Sequence, residues 1–272
     1  MKSAVTISLL PKTVTGPFVF STNLQDGFVR AAQYGFDAVE IFPPSADALD
    51  VAEIKRLCKT HRLQIAAIGT GPGWVLHKLR LTDPDEGVRR RARDFIGSIV
   101  DAAGRLGAPV IIGSMQGRCE PGIQRASALE WLADALEELA QRAMGDRIPL
   151  LYEFLNRYET DIFNRVDESL GFLQSLRARN IKLLCDLFHM NIEEGDIPAA
   201  LRLAGSNVGH IHFADSNRRA VGWGHTSMTP IMAALRDISF QGYLSAEVFP
   251  YPDADQAAAK TIQSFRELTA NA

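Results

Sequence analysis

Short apolar runs and amphipathic stretches alternate along the whole chain, and this alternation limits the possible folds more than any single motif does. The runs are VTISLL (5–10), DAVEIF (37–42), LQIAAIG (63–69), PVIIGSM (109–115), PLLYEF (149–154), IKLLCDL (181–187), VGHIHFAD (208–215) and YLSAEVF (243–249). Each is short, apolar and often β-branched, as strands covered on both faces are. Between them, stretches such as VRRRARDFIGSIVDAAGRLG and SALEWLADALEELAQRA repeat apolar residues every three or four positions, the spacing of a helix with one buried face. Gly35, Gly107, Gly145 and Gly205 stand where such helices should end.

Strict alternation requires parallel strands joined by right-handed crossovers, and eight units spread over 272 residues imply closure of the sheet. The expected fold is α/β, a single (β/α)8 TIM barrel over residues 1–272. A doubly wound open sheet is the competing arrangement, but no G-x-G-x-x-G follows the first strand. The net charge of −3 gives no electrostatic footprint for nucleic acid or a membrane. The basic run RRRAR at 89–93 falls inside a helical pattern and reads as a solvated face. Cys58, Cys119 and Cys185 form no C-x-x-C pair, which suits a reducing cytoplasm. The opening MKSAVTISLLPK lacks the long apolar segment and cleavage site of a signal peptide and reads as a first strand. No apolar run reaches transmembrane length.

In a barrel of this kind, chemistry is found where strands end and the following loops begin. Glu153 ends the fifth run, Asp186 lies at the end of the sixth, the seventh carries His212 and the eighth carries Glu247. Four successive strands therefore aim a carboxylate or an imidazole at one mouth. Three carboxylates and one imidazole form a hard, mostly oxygen donor set, suited to Mn²⁺, Mg²⁺ or Co²⁺ rather than to a sulfur-rich zinc site. His210 and His212 lie two apart on one strand face, so only the one nearer the mouth reaches a metal, and His210 is expected lower and structural. His189 leaves the sixth strand in the loop, and Arg218 is available to anchor a hydroxyl or an oxyanion. Glu40 either faces the mouth or makes a structural hydrogen bond. Trp74, His77, Trp223 and His225 are candidate pocket walls, and Phe18 and Phe20 either cover the site or pack in the core.

The segments EFLNRYET, CDLFHMNIEEGD, GHIHFADSNR and YLSAEVF resemble the signature segments of the ketose 3-epimerases (tagatose and psicose epimerases) within the xylose-isomerase-like barrel superfamily. The likeness is strongest over residues 149–250, while residues 1–148 match mainly in architecture. It implies that Glu153, Asp186, His212 and Glu247 bind a divalent metal, Mn²⁺ before Mg²⁺ or Co²⁺, and that Glu159, His189 and Arg218 contact the sugar. The segments GTGPGWVLHKLRLTDPD and GSMQGRCEPG give no match to the substrate-pocket segments of that family.

The implied chemistry is proton abstraction beside a ketose carbonyl. Epimerisation needs acid/base groups on both faces of the reacting carbon, and Glu153 and Glu247 are placed to flank it while also serving as ligands. Glu159 tunes this machinery, and Arg157 is expected to pair with a nearby acid. An aldose–ketose isomerase of the hydroxypyruvate-isomerase type could use the same set with one active face, and an inosose-dehydratase-like lyase could use it to expel water. A DNA-repair hydrolase resembling endonuclease IV fits poorly with six histidines and a net negative charge. A catalytically silent sugar-binding barrel is the fourth alternative. The expected partners are a small unphosphorylated sugar, no nucleic acid and no membrane, with a homodimer or homotetramer implied by the resemblance.

Overall fold

The computed structural model describes residues 1–270. Nine strands appear: β1 (Lys2–Ser8), β2 (Phe20–Ser21), β3 (Ala38–Phe42), β4 (Gln64–Gly69), β5 (Val110–Ile112), β6 (Leu150–Glu153), β7 (Ile181–Asp186), β8 (Val208–His212) and β9 (Tyr243–Ala246). Every pairing between them is parallel, and each strand from β3 to β9 neighbours the next in chain order. Pairing of Lys2–Val5 with Tyr243–Ala246 closes β1 onto β9. The eight expected strands are therefore β1 and β3–β9, and they form the staves of a closed barrel. The short β2 is an addition that takes over the edge of β1 at Ile7 and Ser8, beyond the β1–β9 pairing.

The period-two geometry of a strand sorts side chains between the barrel interior and the helical shell. Val5, Ile7, Val39, Ile41, Leu150, Tyr152, Leu183, Cys185, Ile211 and Leu244 join the large apolar cluster that includes the helices. The alternate positions face inward. At the bottom of the barrel these are Ala4, Ala38 and Ala66, small enough to let the staves converge. Higher up, Phe42, Ile111, Leu151 and Leu184 form a second apolar cluster, and the remaining inward positions are polar, with Thr6, Glu40, Glu153, Asp186, His210, His212 and Ser245 all buried. A buried polar interior is costly unless its groups are paired, so its presence at one end points to a built site.

Helix starts follow the capping chemistry of the sequence. Asn23, Asp50, Asp85 and Asp196 each accept a hydrogen bond from a backbone N–H in the first turn of the helix that follows. Gly35 and Gly107 end helices in the left-handed conformation, with φ of 78° and 68°. Gly145 also follows a helix, but its φ of −56° is one any residue adopts.

Several strands stop earlier than the apolar runs suggest. The fourth run was expected to extend to Met115, yet β5 ends at Ile112 and the chain curls into a 3-10 turn over Ser114–Gln116. The eighth was expected to extend to Phe249, yet β9 ends at Ala246. Glu247 lies one residue beyond, its N–H bonded to the Ser245 carbonyl at 3.0 Å. Apolar character alone does not tell a strand from the buried loop that continues it.

Candidate metal centre

Glu153, Asp186, His212 and Glu247 converge at the mouth, each offering one ligand atom, with all four atoms within 4.8 Å of one another. His212 Nδ1 is 3.2 Å from Glu153 Oε1, 3.4 Å from Glu247 Oε2 and 3.6 Å from Asp186 Oδ2. Asp186 and His212 are fully buried, and Glu153 and Glu247 are only 6% and 7% exposed.

The second atom of several groups is already anchored. Asp186 Oδ1 accepts from the Phe188 N–H at 2.8 Å, capping the helix Leu187–Glu193, so Oδ2 is left for the centre. His212 Nε2 lies 3.1 Å from Glu40 Oε1, and His210 Nε2 lies 2.6 Å from Glu40 Oε2. An ionised carboxylate only accepts, so both imidazoles donate from Nε2 and a neutral His212 presents a bare Nδ1 to the centre. Holding a ligand histidine through its far nitrogen is the usual second support of a metal site. Glu40 thus has a structural role at the mouth, and His210 lies below it, as the sequence suggested. Glu40, His210 and His212 also cluster, but their facing atoms are consumed by these hydrogen bonds.

Glu153 Oε1, Asp186 Oδ2, His212 Nδ1 and His189 Nε2 are buried with no hydrogen-bond partner. Orphaned polar atoms of this kind are rare and costly in a folded protein. Three of them belong to the four converging residues and aim at a common point. A divalent cation is well served by hard oxygens plus one imidazole, so these residues fit a metal.

Charge within the cluster agrees. Burial alone would raise Glu40, but the His212 and His210 imidazoles overcome it and take its pKa down to about 2. Burial likewise opposes ionisation of Asp186, and His189, His212 and Arg218 outweigh it to hold that carboxyl well below the usual range. Glu247 goes the other way: burial, with the Glu153 and Asp186 charges, raises it to about 8 against the pull of His212 and Arg218. His212 is raised well above its ordinary value, because Glu247, Glu40 and Glu153 outweigh the burial that would lower it. Without a cation, the cluster keeps protons that its ligands would have to give up.

The remaining sequence candidates surround this centre. Arg218, in the left-handed region with φ of 57°, places Nη2 at 2.6 Å from Glu247 Oε2 and at 3.5 Å from Asp186 Oδ2. Its Nη1 is 3.6 Å from Glu159 Oε1. It therefore orients a carboxylate of the cluster as well as lining the cavity. His189 is fully buried, and its Nδ1 lies 2.7 Å from Asn156 Nδ2. Asn156 Oδ1 accepts from the Tyr158 N–H, which turns its amide nitrogen toward His189 and Glu159. His189 Nδ1 is consequently the acceptor, and its Nε2–H points toward the centre, 3.6 Å from Asp186 Oδ2. Arg157 pairs with Glu193 at 2.8 Å, as its scaffold reading anticipated.

A cavity of about 460 Å³ opens above the cluster. Glu153, Glu159, His189, Arg218 and Glu247 line its polar floor, while Leu10, Phe18, Phe42, Trp74, Ile111 and Tyr158 contribute apolar wall. Trp74 and Phe18 thus take up the pocket-wall role. His77 does not line this cavity, and Phe20 is fully buried in the shell beneath Arg30. Trp223 and His225 do not line it either. The Asp215 carboxylate accepts from the N–H groups of Ser216, Gly222 and Thr226, folding their loop back on itself and away from the mouth. Sequence reasoning missed Asn156 and Gln116, whose contacts with His189 and with the Glu153 carbonyl are set by the fold rather than by spacing.

The chain is 29% identical over 227 residues to D-psicose 3-epimerase of Ruminiclostridium cellulolyticum, covering 81% of this chain and 76% of the relative. The fold superposes on that of an L-ribulose 3-epimerase with a TM-score of 0.83 at 22% identity, covering 99% of this chain and 94% of the other. It also matches 3-keto-D-glucoside 4-epimerase from E. coli with a TM-score of 0.82 at 22% identity, over 99% and 100% of the two chains. A sequence model for the xylose isomerase-like TIM barrel matches residues 28–268, from the first crossover to the last helix, and the chain belongs to that family.

Proposed function

We propose that this protein is a divalent-metal-dependent epimerase of small, unphosphorylated ketoses, acting at carbon 3. The observation that carries the proposal is the convergence of three orphaned ligand atoms with Glu247, beneath a cavity floored by three glutamates, a donor imidazole and a guanidinium. The named relatives support the reaction class, since the curated ones include D-psicose and L-ribulose 3-epimerases.

Glu153, Asp186, His212 and Glu247 would hold the cation; the oxygen-rich set suits Mn²⁺, Mg²⁺ or Co²⁺, and Mn²⁺ is taken first from the resemblance to the ketose 3-epimerases. When bound, the cation supplies positive charge that stabilises the enediolate formed as a proton leaves the carbon beside a carbonyl. Glu153 and Glu247 take and return that proton. They come from β6 and from the end of β9, with β7 and β8 between them, so a sugar lying across the mouth meets a carboxylate on each side. His189 donates its Nε2–H to a sugar oxygen, with its tautomer set by Asn156. Arg218 holds Glu247 in place and favours its ionised form. The apolar wall excludes water from the reacting carbon.

On the far wall Arg80 is already paired with Asp83 and Glu120, so a phosphorylated ketose would have to rely on Arg118, which also lines the cavity. The three cysteines are unpaired, in keeping with a reducing cytoplasm, and among the described residues no helix is long and apolar enough to cross a membrane. The test is a panel of four- to six-carbon ketoses and aldoses incubated with the Mn²⁺-loaded protein in D₂O. Deuterium at carbon 3 of both epimers is expected. Deuterium confined to carbon 1 or 2 would instead assign an aldose–ketose isomerase, and a dehydrated product a lyase.

A further inference from the structure

The segment GSMQG (113–117) matches no known role in the sequence, yet it wraps around Glu153. The ladder between β5 and β6 ends at the pair Ile112–Tyr152. Beyond it the chain leaves the sheet through the 3-10 turn, and the Glu153 carbonyl takes its hydrogen bond from a side chain. Gln116 Nε2 donates to that carbonyl at 2.9 Å and to the Gly113 carbonyl at 3.1 Å. Its Oε1 accepts from the Tyr152 hydroxyl at 2.5 Å, which fixes the orientation of the amide. Gln116 and Tyr152 are both fully buried, and neither lines the cavity.

The same turn shapes the space around the carboxylate. A Cβ at Gly113 would collide with Glu153 Oε2. The turn itself is held from outside: the Leu81 N–H donates to Met115 O at 2.8 Å, Thr82 Oγ1 to Gln116 O at 3.0 Å and Thr160 Oγ1 to Gly117 O at 2.7 Å. One end of the segment therefore grips the backbone of Glu153, and the other leaves room for its side chain.

We propose that Gln116 is the positioning residue for Glu153, setting the geometry of one of the two proton-transferring groups without touching substrate. The proposal rests on the epimerase reading above. It predicts an asymmetry that a purely structural glutamine would not produce, because nothing in this hydrogen-bond set reaches Glu247. In one epimer the proton leaves toward Glu153, in the other toward Glu247.

The test is the Gln116→Leu variant at saturating Mn²⁺, with loss of the carbon-bound proton to D₂O measured separately from each epimer. Exchange from one epimer should fall about 10- to 100-fold, the range expected when a reacting group is displaced by up to an ångström, and exchange from the other should stay near wild type. KM should hold while kcat falls. Tyr152→Phe, which frees the amide but keeps it, should show the same asymmetry more weakly. Equal slowing from both epimers, or an unchanged rate in a folded variant, would overturn the proposal. Mn²⁺ titration supplies a readout independent of activity: the Leu variant should bind Mn²⁺ more weakly than wild type, since Glu153 is also a ligand. If the wild type binds Mn²⁺ but exchanges no sugar proton, the epimerase reading fails, and this titration still decides whether Gln116 positions Glu153. A wild type that binds no Mn²⁺ overturns both.

Discussion

Replacing Glu40 by glutamine should weaken Mn²⁺ binding although Glu40 is not among the four ligands. Both of its oxygens are committed, one to His212 at 3.1 Å and one to His210 at 2.6 Å, in a site with no exposure to solvent. Glutamine keeps the shape but has one acceptor for two donors. If its amide nitrogen faces His212, that imidazole must move its proton to Nδ1 and can no longer present a lone pair to the metal. If its oxygen faces His212, the ligand survives but loses the charge that makes it a stronger base. Loss of such a supporting group costs about 10- to 100-fold in metal affinity, or roughly 1.4–2.7 kcal/mol. A second effect opposes this. Glu40 is one of the charges that raise the His212 pKa, so its removal eases proton competition for that ligand. The measured loss should therefore be smaller at low pH and approach its full size at high pH, where His212 is already neutral. Titration calorimetry of metal-stripped protein with Mn²⁺, run at several pH values with circular dichroism to confirm folding, measures both. A folded variant whose affinity matches wild type at alkaline pH would refute the reasoning.

Asp186→Ala and His212→Ala should each abolish stoichiometric Mn²⁺ binding while the barrel stays folded, as judged by metal analysis alongside thermal melting. Mn²⁺ affinity should rise as pH passes through the Glu247 value of about 8, because binding must expel the protons that burial and neighbouring charge hold on Glu247 and His212; calorimetry in buffers of different ionisation enthalpy counts the protons released. His189→Ala should lower turnover or raise KM with metal content unchanged, since its Nε2–H faces the centre as a donor; loss of metal would show that it serves as a ligand.

The barrel was legible because eight short apolar runs alternate with amphipathic helical stretches and no loop breaks the series. Four of the converging residues were legible for the same reason, one near each of four consecutive strand ends. Glu40 was not assigned because its meaning lies across the lumen: it meets His210 and His212 170 and 172 positions away. Gln116 gave no signal because its partner, the Glu153 carbonyl, carries no side-chain identity. Trp223 and His225 misled because their proximity to Arg218 in sequence suggested proximity in space. The Asp215 carboxylate, by tying up three N–H groups of the intervening loop, turns that loop outward.

Inward and outward positions alternate along the staves except at the register shifts between β3 and β4 and between β7 and β8, so beyond those points the fold and the chemistry share one reading frame. A single residue inserted in β8 between His210 and Ile211, past the register shift, would swing the imidazole into the helical shell and push Ile211 toward the converging carboxylates, so catalysis and packing would fail together. Insertions in the loop after β4, or beyond Gly117 in the loop after β5, carry no such penalty, since those stretches contribute cavity wall, none of the four converging groups and none of the bonds that hold Glu153. Length variation among homologous proteins should therefore be sparse within the staves and frequent in these two loops. Substrate preference can then drift by insertion and deletion while the proton-transfer apparatus changes only by substitution.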